Sequence, residues 1–257
     1  MLMKKKIAII GCGIAGLTVA NLLKQNSDFE IMVYEREPTL SLEEGYGIQL
    51  APNSISILNK LGFSNLDDKD FSNPYKINFY SSDNKKICDL NLSNFNSDKA
   101  KYTTLKRSIL IEFLQNNLFK NNLSFAKEVK RISKIKEKLL INFKDNTNDL
   151  VDFIIVSDGV FSNTKSIIEN KNINPIYNGS VAIRTIFKSS PEFNYDKNNI
   201  SLVMLKNAHI VIYPINKKGE LNVVCIVRQK LSNNIDLKTL MKKEILSQNK
   251  NLEILFE

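Results

Sequence analysis

The sequence predicts an α/β fold that starts with a parallel sheet and continues into a second, antiparallel sheet. A short apolar run at residues 7–10 is followed at once by three closely spaced glycines and an apolar helical pattern. A second strand pattern at residues 30–34 ends in an acidic residue. Beyond residue 179, apolar and polar residues alternate in segments of strand length, which is typical of a half-buried sheet.

The composition limits the chain to globular classes. Its 257 residues, 43% of them hydrophobic and 25% charged, suit one large or two modest domains. Cys12, Cys88 and Cys225 lie far apart and the chain has one histidine. We therefore predict no metal site and no disulfide framework, and a reducing cytoplasm as the location.

The net charge of +9 does not by itself indicate a nucleic-acid partner. The lysines are spread along the chain among Asn, Ser and Ile, and no arginine-rich block interleaved with aromatic residues occurs. A general lysine bias explains the charge more simply than a binding face, so no nucleic-acid partner is predicted.

The amino terminus imitates a signal peptide, because Lys4, Lys5 and Lys6 precede an apolar run. Thr18 and Asn21 interrupt that run, which is short for a bilayer span of ~20 residues. No transmembrane segment is predicted. A nucleotide-binding turn accounts for more of the sequence beyond residue 10.

That turn has the spacing G-x-G-x-x-G, at Gly11, Gly13 and Gly16. The first glycine permits the tight turn, the second lets the backbone approach a pyrophosphate, and the third lets the helix pack closely on the strand. The phosphates would then bind free N–H groups at the positive end of the helix, where Ile14 and Ala15 lie.

Glu35 follows the second predicted strand, at the distance from the turn where an acidic residue binds the ribose in dinucleotide sites. Its carboxylate can accept both ribose hydroxyl hydrogens. It would also repel a 2′-phosphate, which argues against NADP at this site. Glu35 does not distinguish NAD from FAD.

Three segments resemble the flavin-dependent aromatic hydroxylases, the single-component FAD monooxygenases that include salicylate hydroxylase and the ubiquinone-pathway hydroxylases. They are GCGIAGLTVANLLKQNSDFEIMVYERE at residues 11–37, GYGIQLAPNSISILNKLG at residues 45–62, and DFIIVSDGVFSNTKSII at residues 152–168. The third is the most specific, because it looks like the D-G motif of that family, which ordinary NAD dehydrogenases lack.

The resemblance implies further contacts to FAD. Arg36 accompanies Glu35 in the adenosine site, and Gly47 lies in the loop beside the flavin. Arg107 would reach the phosphates or ribityl chain, Val129 falls in the adenine-contacting segment, and Asp158 would contact FAD and the pyridine nucleotide.

The resemblance also implies the fold class and the domains. The expected fold is α/β, with a Rossmann-like FAD-binding domain and an inserted antiparallel β-sheet substrate domain. Residues 1-72 and 101-175 would form the FAD-binding domain, and residues 73-100 and 176-257 an incomplete substrate domain.

Further elements are predicted from local patterns. They are a hairpin at 76–80 and 86–90, a helix at 109–119 opened by residues 105–107, a meander at 129–135 and 139–143, a buried strand at 153–156, strands at 181–187, 210–213 and 221–227, and a helix-like stretch at 235–246. His209, Arg184 and Tyr213 are interpreted as ordinary sheet residues, although the last two could face a substrate. No catalytic side chain is assigned.

The implied activity is hydroxylation of a salicylate-like or phenolic ring with FAD, NAD(P)H and O₂, through a flavin hydroperoxide. The family's second flavin-binding sequence, G-D-A-A-H-x-x-x-P, does not occur here. We therefore expect a chain truncated at its carboxyl terminus, which forms a homo-oligomer or needs a missing C-terminal chain. The alternatives are a non-catalytic FAD- or nucleotide-binding remnant and a flavin or NAD oxidoreductase that does not hydroxylate.

Overall fold

The computed structural model describes residues 4–40, 42, 46–188, 194–230 and 236–255. Gly45 and Ile235, which belong to two of the predicted segments, lie outside the described residues. The chain divides into two compact units. The first comprises residues 1–44 and 110–176, and the second comprises residues 45–109 and 177–257. Which ranges bind cofactor and which bind substrate stays a prediction.

The strands are β1 (Lys5–Ile10), β2 (Phe29–Tyr34), β3 (Gly47–Leu50), β4 (Phe71–Ser72), β5 (Lys76–Tyr80), β6 (Lys86–Asn91), β7 (Thr103–Lys106), β8 (Leu123–Ser124), β9 (Val129–Ile135), β10 (Lys138–Phe143), β11 (Asn148–Val151), β12 (Phe153–Val156), β13 (Ser180–Lys188), β14 (Ile200–Met204), β15 (Ala208–Pro214) and β16 (Glu220–Arg228). The α-helices are α1 (Ile14–Leu23), α2 (Pro52–Asn59), α3 (Arg107–Asn116), α4 (Asn163–Glu169) and α5 (Leu237–Met241).

A parallel sheet organises the first unit, in the strand order β12-β1-β2-β8. β1 is the central strand, and its residues from Ile7 to Ile10 are buried. The predicted strand–glycine turn–helix–strand order is confirmed by β1, α1 and β2. Parallel strands require such a crossover, which here is the helix that the apolar pattern predicts.

A three-stranded antiparallel meander, β11-β10-β9, packs beside this sheet. Ile141 and Phe143 of β10 are buried against Ile10 and Tyr34 of the parallel sheet. The Tyr34 and Phe143 rings are tilted with centroids 4.7 Å apart. The Tyr34 hydroxyl also donates a hydrogen bond to Asp149 of β11. The two predicted meander strands are confirmed, and β11 is an additional third one.

The prediction of a buried strand at residues 153–156 is wrong about burial, although the bounds of β12 are those predicted. Phe153 is 53% exposed and Val156 is 37% exposed. β12 is an edge strand that pairs with β1 alone among the described strands. An apolar run indicates strand formation, but its burial depends on neighbours that the run does not encode.

The second unit contains a six-stranded sheet in the order β13-β16-β15-β14-β5-β6. Its pairs are antiparallel except for β14 with β5, which are parallel. The predicted hairpin is confirmed as β5 and β6. One sheet face packs on the carboxyl-terminal helices, where Leu240, Ile245 and Leu252 are buried. The predicted α/β class with a separate, mainly antiparallel sheet is confirmed.

A second sheet of this unit, β3-β7-β4, corrects a helix boundary. Leu105 and Lys106 belong to β7, and α3 begins at Arg107 and ends at Asn116 instead of running over 109–119. Likewise, the stretch predicted at 235–246 contains a short helix, α5, followed by a π-helical turn at Lys242–Leu246. Residues 105 and 106 form a strand and not the start of the helix, because β7 pairs with both β3 and β4 and Leu105 is fully buried between them.

Candidate functional site

The glycine turn joins the carboxyl end of β1 to the start of α1. Gly11 has a φ of +102°, a conformation that side chains other than glycine rarely adopt. A Cβ atom at Gly11 would also lie 2.6 Å from the Ser157 carbonyl oxygen. This glycine is therefore required by both the turn and the neighbouring strand end.

The other two glycines of the motif have opposite surroundings. A Cβ at Gly16 would lie 2.0 Å from the Gly11 carbonyl oxygen and 2.7 Å from Ser157 Oγ. Any larger residue at this position would therefore clash with the turn and with the end of β12. A Cβ at Gly13 would meet nothing within 4 Å. Gly13 therefore leaves the space beside the turn open, so that a phosphate group can approach the protein backbone closely.

The amino terminus of α1 opens toward that space. Gly13 is its N-cap residue and no side chain caps the helix. The first N–H groups of a helix have no partner within the helix, and the helix dipole places partial positive charge there. Ala15 in this first turn is exposed. An anion at this position would supply the missing acceptors.

Glu35 is held in place by two backbone donors. Its Oε2 accepts a hydrogen bond from the Cys12 N–H at 2.8 Å, and its Oε1 accepts one from the Glu37 N–H at 3.0 Å. Each carboxylate oxygen has a second lone pair, so two further donors can bind. Arg36 beside it is exposed, with its Nε 3.2 Å from Glu37 Oε1.

The Cys12 side chain stays neutral within this turn. Burial raises the pKa of the Cys12 thiol to about 12, and the charge of Glu35 adds to that effect. The thiol therefore places no negative charge beside an anion at the helix terminus.

Asp158 lies just beyond the carboxyl end of β12, the sheet edge where ligands bind in open α/β folds. Its Oδ2 accepts a long hydrogen bond, 3.4 Å, from the Thr164 N–H. Its Oδ1 is buried and has no hydrogen-bond partner among the described residues. A buried carboxylate oxygen without a hydrogen-bond donor destabilises the folded state, and a hydroxyl group of a ligand could donate to it.

These groups surround one cleft of about 230 Å³. This is smaller than the roughly 300–1,000 Å³ of sites that enclose a whole drug-sized ligand, so the cleft suits part of a dinucleotide. Among the sequence-predicted residues, those that line it are Gly11, Gly13, Glu35, Arg36, Val129 and Asp158. Ile14, Ala15 and Gly16 lie in the adjoining first turn of α1.

Sequence reasoning missed other residues of the cleft wall. Ser157 donates from Oγ to the Ile10 carbonyl oxygen at 2.9 Å and so ties β12 to the turn. Lys127 lines the same cleft, and its ammonium group pairs with Asp145. Ser157 directly precedes the D-G pair, so the motif contains a signal for it. Lys127 lies in a loop and has no such signal.

Gly47 and Arg107 lie in the second unit and neighbour each other there. Gly47 pairs with Lys106 across β3 and β7, and its N–H donates to Asn222 Oδ1 at 2.6 Å. A Cβ at Gly47 would lie 2.6 Å from the Asn222 Cβ, so packing requires this glycine. The half-buried Arg107 has no ion-pair partner in the described ranges.

Polar side chains of the second unit meet at one place on its sheet. Tyr102 donates to Gln49 Oε1 at 2.7 Å, and the Gln49 amide is also bonded to Tyr213. Burial raises the pKa of Tyr213 to about 12, while the positive charge of Arg184 and the Gln49 hydrogen bond act in the opposite direction. His209 is exposed and lies within β15.

Neither a metal centre nor a membrane helix is found in the described part of the chain. No group of three or more His, Cys, Asp or Glu side chains there could hold a metal ion. No helix among the described residues is long and apolar enough to cross a membrane.

Known proteins similar to this chain match both its motif and its fold. A family model for an NAD(P)-binding Rossmann-like domain matches residues 9–43. The chain is 27% identical over 191 residues to the 6-hydroxynicotinate 3-monooxygenase of Pseudomonas fluorescens, covering 71% of this chain and 47% of that protein. It is 23% identical over 236 residues to the salicylate hydroxylase of Pseudomonas putida, covering 85% and 53%.

A solved structure of Klebsiella pneumoniae HpxO with FAD and uric acid superposes with a TM-score of 0.80 at 19% identity, covering 93% of this chain and 60% of that one. The resemblance to the flavin-dependent hydroxylases is confirmed. The chain also shares its fold with these proteins. It spans about half the length of the curated relatives it matches.

Proposed function

We propose that this chain binds FAD through its first unit and belongs to an enzyme that hydroxylates an aromatic ring with NAD(P)H and O₂. The observation that carries the proposal is the cleft at the carboxyl ends of β1 and β12. Three groups face this cleft. They are the amino terminus of α1, which no side chain caps, the Glu35 carboxylate, which backbone N–H groups hold in place, and Asp158 Oδ1, which has no hydrogen-bond partner among the described residues. The helix terminus and Glu35 meet the pyrophosphate and the ribose of an adenosine diphosphate moiety, and the Asp158 oxygen meets a hydroxyl group in the rest of the cofactor.

The residues present fit this group. The pyrophosphate binds the N–H groups at Ile14, Ala15 and Gly16, and the space beside Gly13 admits it. The ribose hydroxyls donate to Glu35. Val129, which is buried and lines the cleft, packs on the adenine.

Three further residues are proposed for the rest of the cofactor. Asp158 accepts a hydroxyl hydrogen at its Oδ1. In the second unit, the Arg107 guanidinium has no competing carboxylate in the described ranges and binds phosphate or ribityl oxygens. The strand that contains Gly47 borders the flavin.

When bound, FAD would supply the redox chemistry that NAD(P)H and O₂ require. The protein's part is to bind, orient and exclude water. No residue of the described chain is assigned a bond-making role. The substrate is a small phenolic or salicylate-like ring, because electron-rich rings suit this reaction and the named relatives act on hydroxylated aromatic acids.

An NAD-dependent oxidoreductase is the second candidate, since the family model covering residues 9–43 describes NAD(P) binding. A nucleotide-binding remnant without catalysis is the third, since the described cleft by itself accounts for nucleotide binding. Location in the cytoplasm and assembly with a second copy are part of the proposal.

A titration of the purified 257-residue chain with FAD, ADP and NAD tests this. We expect saturable FAD binding that quenches flavin fluorescence and shifts its absorbance, with ADP competing. NAD binding tighter than FAD binding would favour the second candidate. ADP binding without any change in the flavin spectrum would favour the remnant.

The reaction itself needs a second test. Phenol-stimulated NAD(P)H oxidation, with ¹⁸O from O₂ incorporated into the product, is the expected result for the hydroxylase. NAD(P)H oxidation without oxygen transfer would contradict hydroxylation and leave FAD binding intact.

A further inference from the structure

Asn222 interrupts an apolar strand in the interior of the second unit. β16 reads Leu-Asn-Val-Val-Cys-Ile-Val over residues 221–227, and Asn222 carries the only amide side chain of that run. The residue is completely buried. An apolar side chain would continue the pattern of the strand, so the amide at this position needs a reason other than the packing of the sheet.

One half of the Asn222 amide is used and the other half is not. Its Oδ1 accepts a hydrogen bond from the Gly47 N–H at 2.6 Å. Its Nδ2 is buried and has no hydrogen-bond partner among the described residues. A buried donor without an acceptor destabilises the folded state, which offsets the bond that Oδ1 makes. The amide therefore contributes little net stability, and its distinct effect is to hold the Gly47 backbone.

Gly47 begins β3, which lies at the edge of the β3-β7-β4 sheet. A side chain of another sheet, and not a neighbouring strand, accepts from its N–H. A Cβ atom at Gly47 would lie 2.6 Å from the Asn222 Cβ and 2.7 Å from Ile215 Cγ2, so the first residue of β3 packs directly on both. Strand ends open easily when their hydrogen bonds are few. Asn222 therefore fixes an end of β3 that would otherwise open.

A second side chain of β16 holds the strand beside β3. Glu220 lies two residues before Asn222, so both side chains point to the same face of β16. The Glu220 carboxylate pairs with the Lys106 ammonium group at 2.9 Å, and Lys106 lies opposite Gly47 in β7. Arg107 follows Lys106 directly. The six-stranded sheet thus holds the two strand ends that carry Gly47 and Arg107.

We propose that Asn222 is a positioning residue, which acts through the Gly47 backbone to set where β3 stands against the flavin ring. The inference rests on the proposed function, in which the strand that contains Gly47 borders the flavin. It deepens that function by assigning the placement of the ring to the six-stranded sheet, whereas the adenosine half of FAD binds the first unit. Asn222 itself is not assigned a contact to the cofactor.

The test titrates the 257-residue chain and three variants with FAD and with ADP. Asn222→Leu removes the acceptor, and Asn222→Asp keeps an oxygen that accepts from the Gly47 N–H in either protonation state. Asn199→Leu is the matched control, because Asn199 is a buried asparagine of the same unit whose Oδ1 accepts two backbone N–H groups at 3.0 and 3.1 Å. Urea unfolding gives the stability of each variant.

We expect Asn222→Leu to bind ADP within about twofold of the unmodified chain and to lose most of the flavin absorbance shift on FAD binding. Its FAD Kd should rise about tenfold, because a misplaced β3 no longer supports the ring. Asn222→Asp should retain the absorbance shift. Asn199→Leu should lower the urea midpoint and leave the absorbance shift unchanged.

Hydrogen exchange measured by mass spectrometry tests the same contact without any ligand. Peptides that contain residues 46–50 should exchange faster in Asn222→Leu than in Asn222→Asp or the unmodified chain. Peptides from β14 and β15 should keep their protection, which shows that the sheet of the variant is folded. Unchanged exchange at residues 46–50 in a folded Asn222→Leu variant would contradict the hold on β3.

A flavin absorbance shift that survives Asn222→Leu overturns the proposal. So does an equal loss of the shift in Asn199→Leu, since the effect would then come from general destabilisation of the unit. The unmodified chain separates these results from a failure of the proposed function. If it binds ADP without a flavin absorbance shift, or binds neither ligand, the proposed function fails and the positioning role fails with it.

Discussion

The Cys12 N–H donates a hydrogen bond to Glu35 Oε2 at 2.8 Å, which joins the glycine turn to the end of β2 across 23 residues of sequence. The bond fixes the carboxylate beside the turn before any ligand arrives. A ribose-binding group that is already oriented loses less conformational entropy on binding than a mobile side chain. The same contact explains the position of the acidic residue, because a carboxylate directly after the second strand can reach the glycine turn.

Replacing Glu35 with alanine should weaken FAD binding by about 10- to 100-fold, because it removes hydrogen bonds from a charged acceptor and frees the Cys12 N–H. Fluorescence titration with FAD measures the change. Glu137→Ala is the control, since Glu137 is exposed in the turn between β9 and β10. An unchanged FAD affinity in Glu35→Ala would remove the ribose site from this position.

Alanine at Gly13 and alanine at Gly16 should separate binding from folding. At Gly16 the new Cβ would lie 2.0 Å from a backbone oxygen, so the backbone must shift and the fold should lose ~3 kcal/mol. At Gly13 the backbone is extended and the new methyl group meets nothing, so stability should change by less than ~0.5 kcal/mol. FAD affinity should nevertheless fall at least about tenfold at Gly13, because the methyl group occupies the phosphate approach.

Urea unfolding and FAD titration of both variants measure these two effects. The prediction fails if Gly13→Ala binds FAD normally, or if Gly16→Ala unfolds at the same urea concentration as the unmodified chain. Either result would mean that the glycines serve roles other than those their surroundings indicate.

The parts of the fold that the sequence predicts are those with a strong local pattern. β1, α1 and β2 follow from the apolar run, the glycine spacing and the helical period. β10 follows from its short apolar run at residues 139–141. Strands β4 and β8 have two residues each, which is too short for any period to be recognised.

The cleft is only partly predictable for a related reason. Gly11 and Glu35 belong to one contiguous motif, and the hydrogen bond from the Cys12 N–H to Glu35 follows from the geometry of that motif. Ser157 has only its place before the D-G pair as a signal in the sequence. Lys127 has none, because tertiary packing alone brings its loop to the same cleft. Asn21 likewise interrupts an apolar pattern in the sequence, yet it is fully buried in the structure.

The three cysteines should differ sharply in reactivity. Burial raises the pKa values of both Cys12 and Cys225 to about 12, whereas Cys88 is exposed. The thiolate is the reactive form, so Cys88 alone should react rapidly with a disulfide reagent at neutral pH in the folded chain. All three should react in denaturant. Mass spectrometry of the labelled peptides identifies the sites, and rapid labelling of native Cys12 would contradict the buried turn.

The raised pKa values of Cys12 and Cys225 predict that the free energy of unfolding falls at high pH. A folded-state pKa above the unfolded value of 9.0 means that the unfolded chain releases these thiol protons first. The stabilising contribution is complete below about pH 9 and is lost as the pH rises toward 12. Urea midpoints from pH 8 to pH 11 should fall less in a Cys12→Ser, Cys225→Ala double variant than in the unmodified chain.

Asn21→Leu should destabilise the first unit by about 1–3 kcal/mol, although it adds an apolar side chain at a buried position. Asn21 Nδ2 donates to the Leu17 and Leu114 carbonyl oxygens at 2.8 Å each. Leu114 lies in the last turn of α3, where carbonyl groups have no hydrogen-bond partner within the helix. The Asn21 amide donates to the Leu114 carbonyl oxygen and so ties α3 to α1. Leucine would leave that buried carbonyl unsatisfied. Urea unfolding measures the loss, with exposed Asn116→Ala as the control, and a variant as stable as the unmodified chain would show that water can replace the amide.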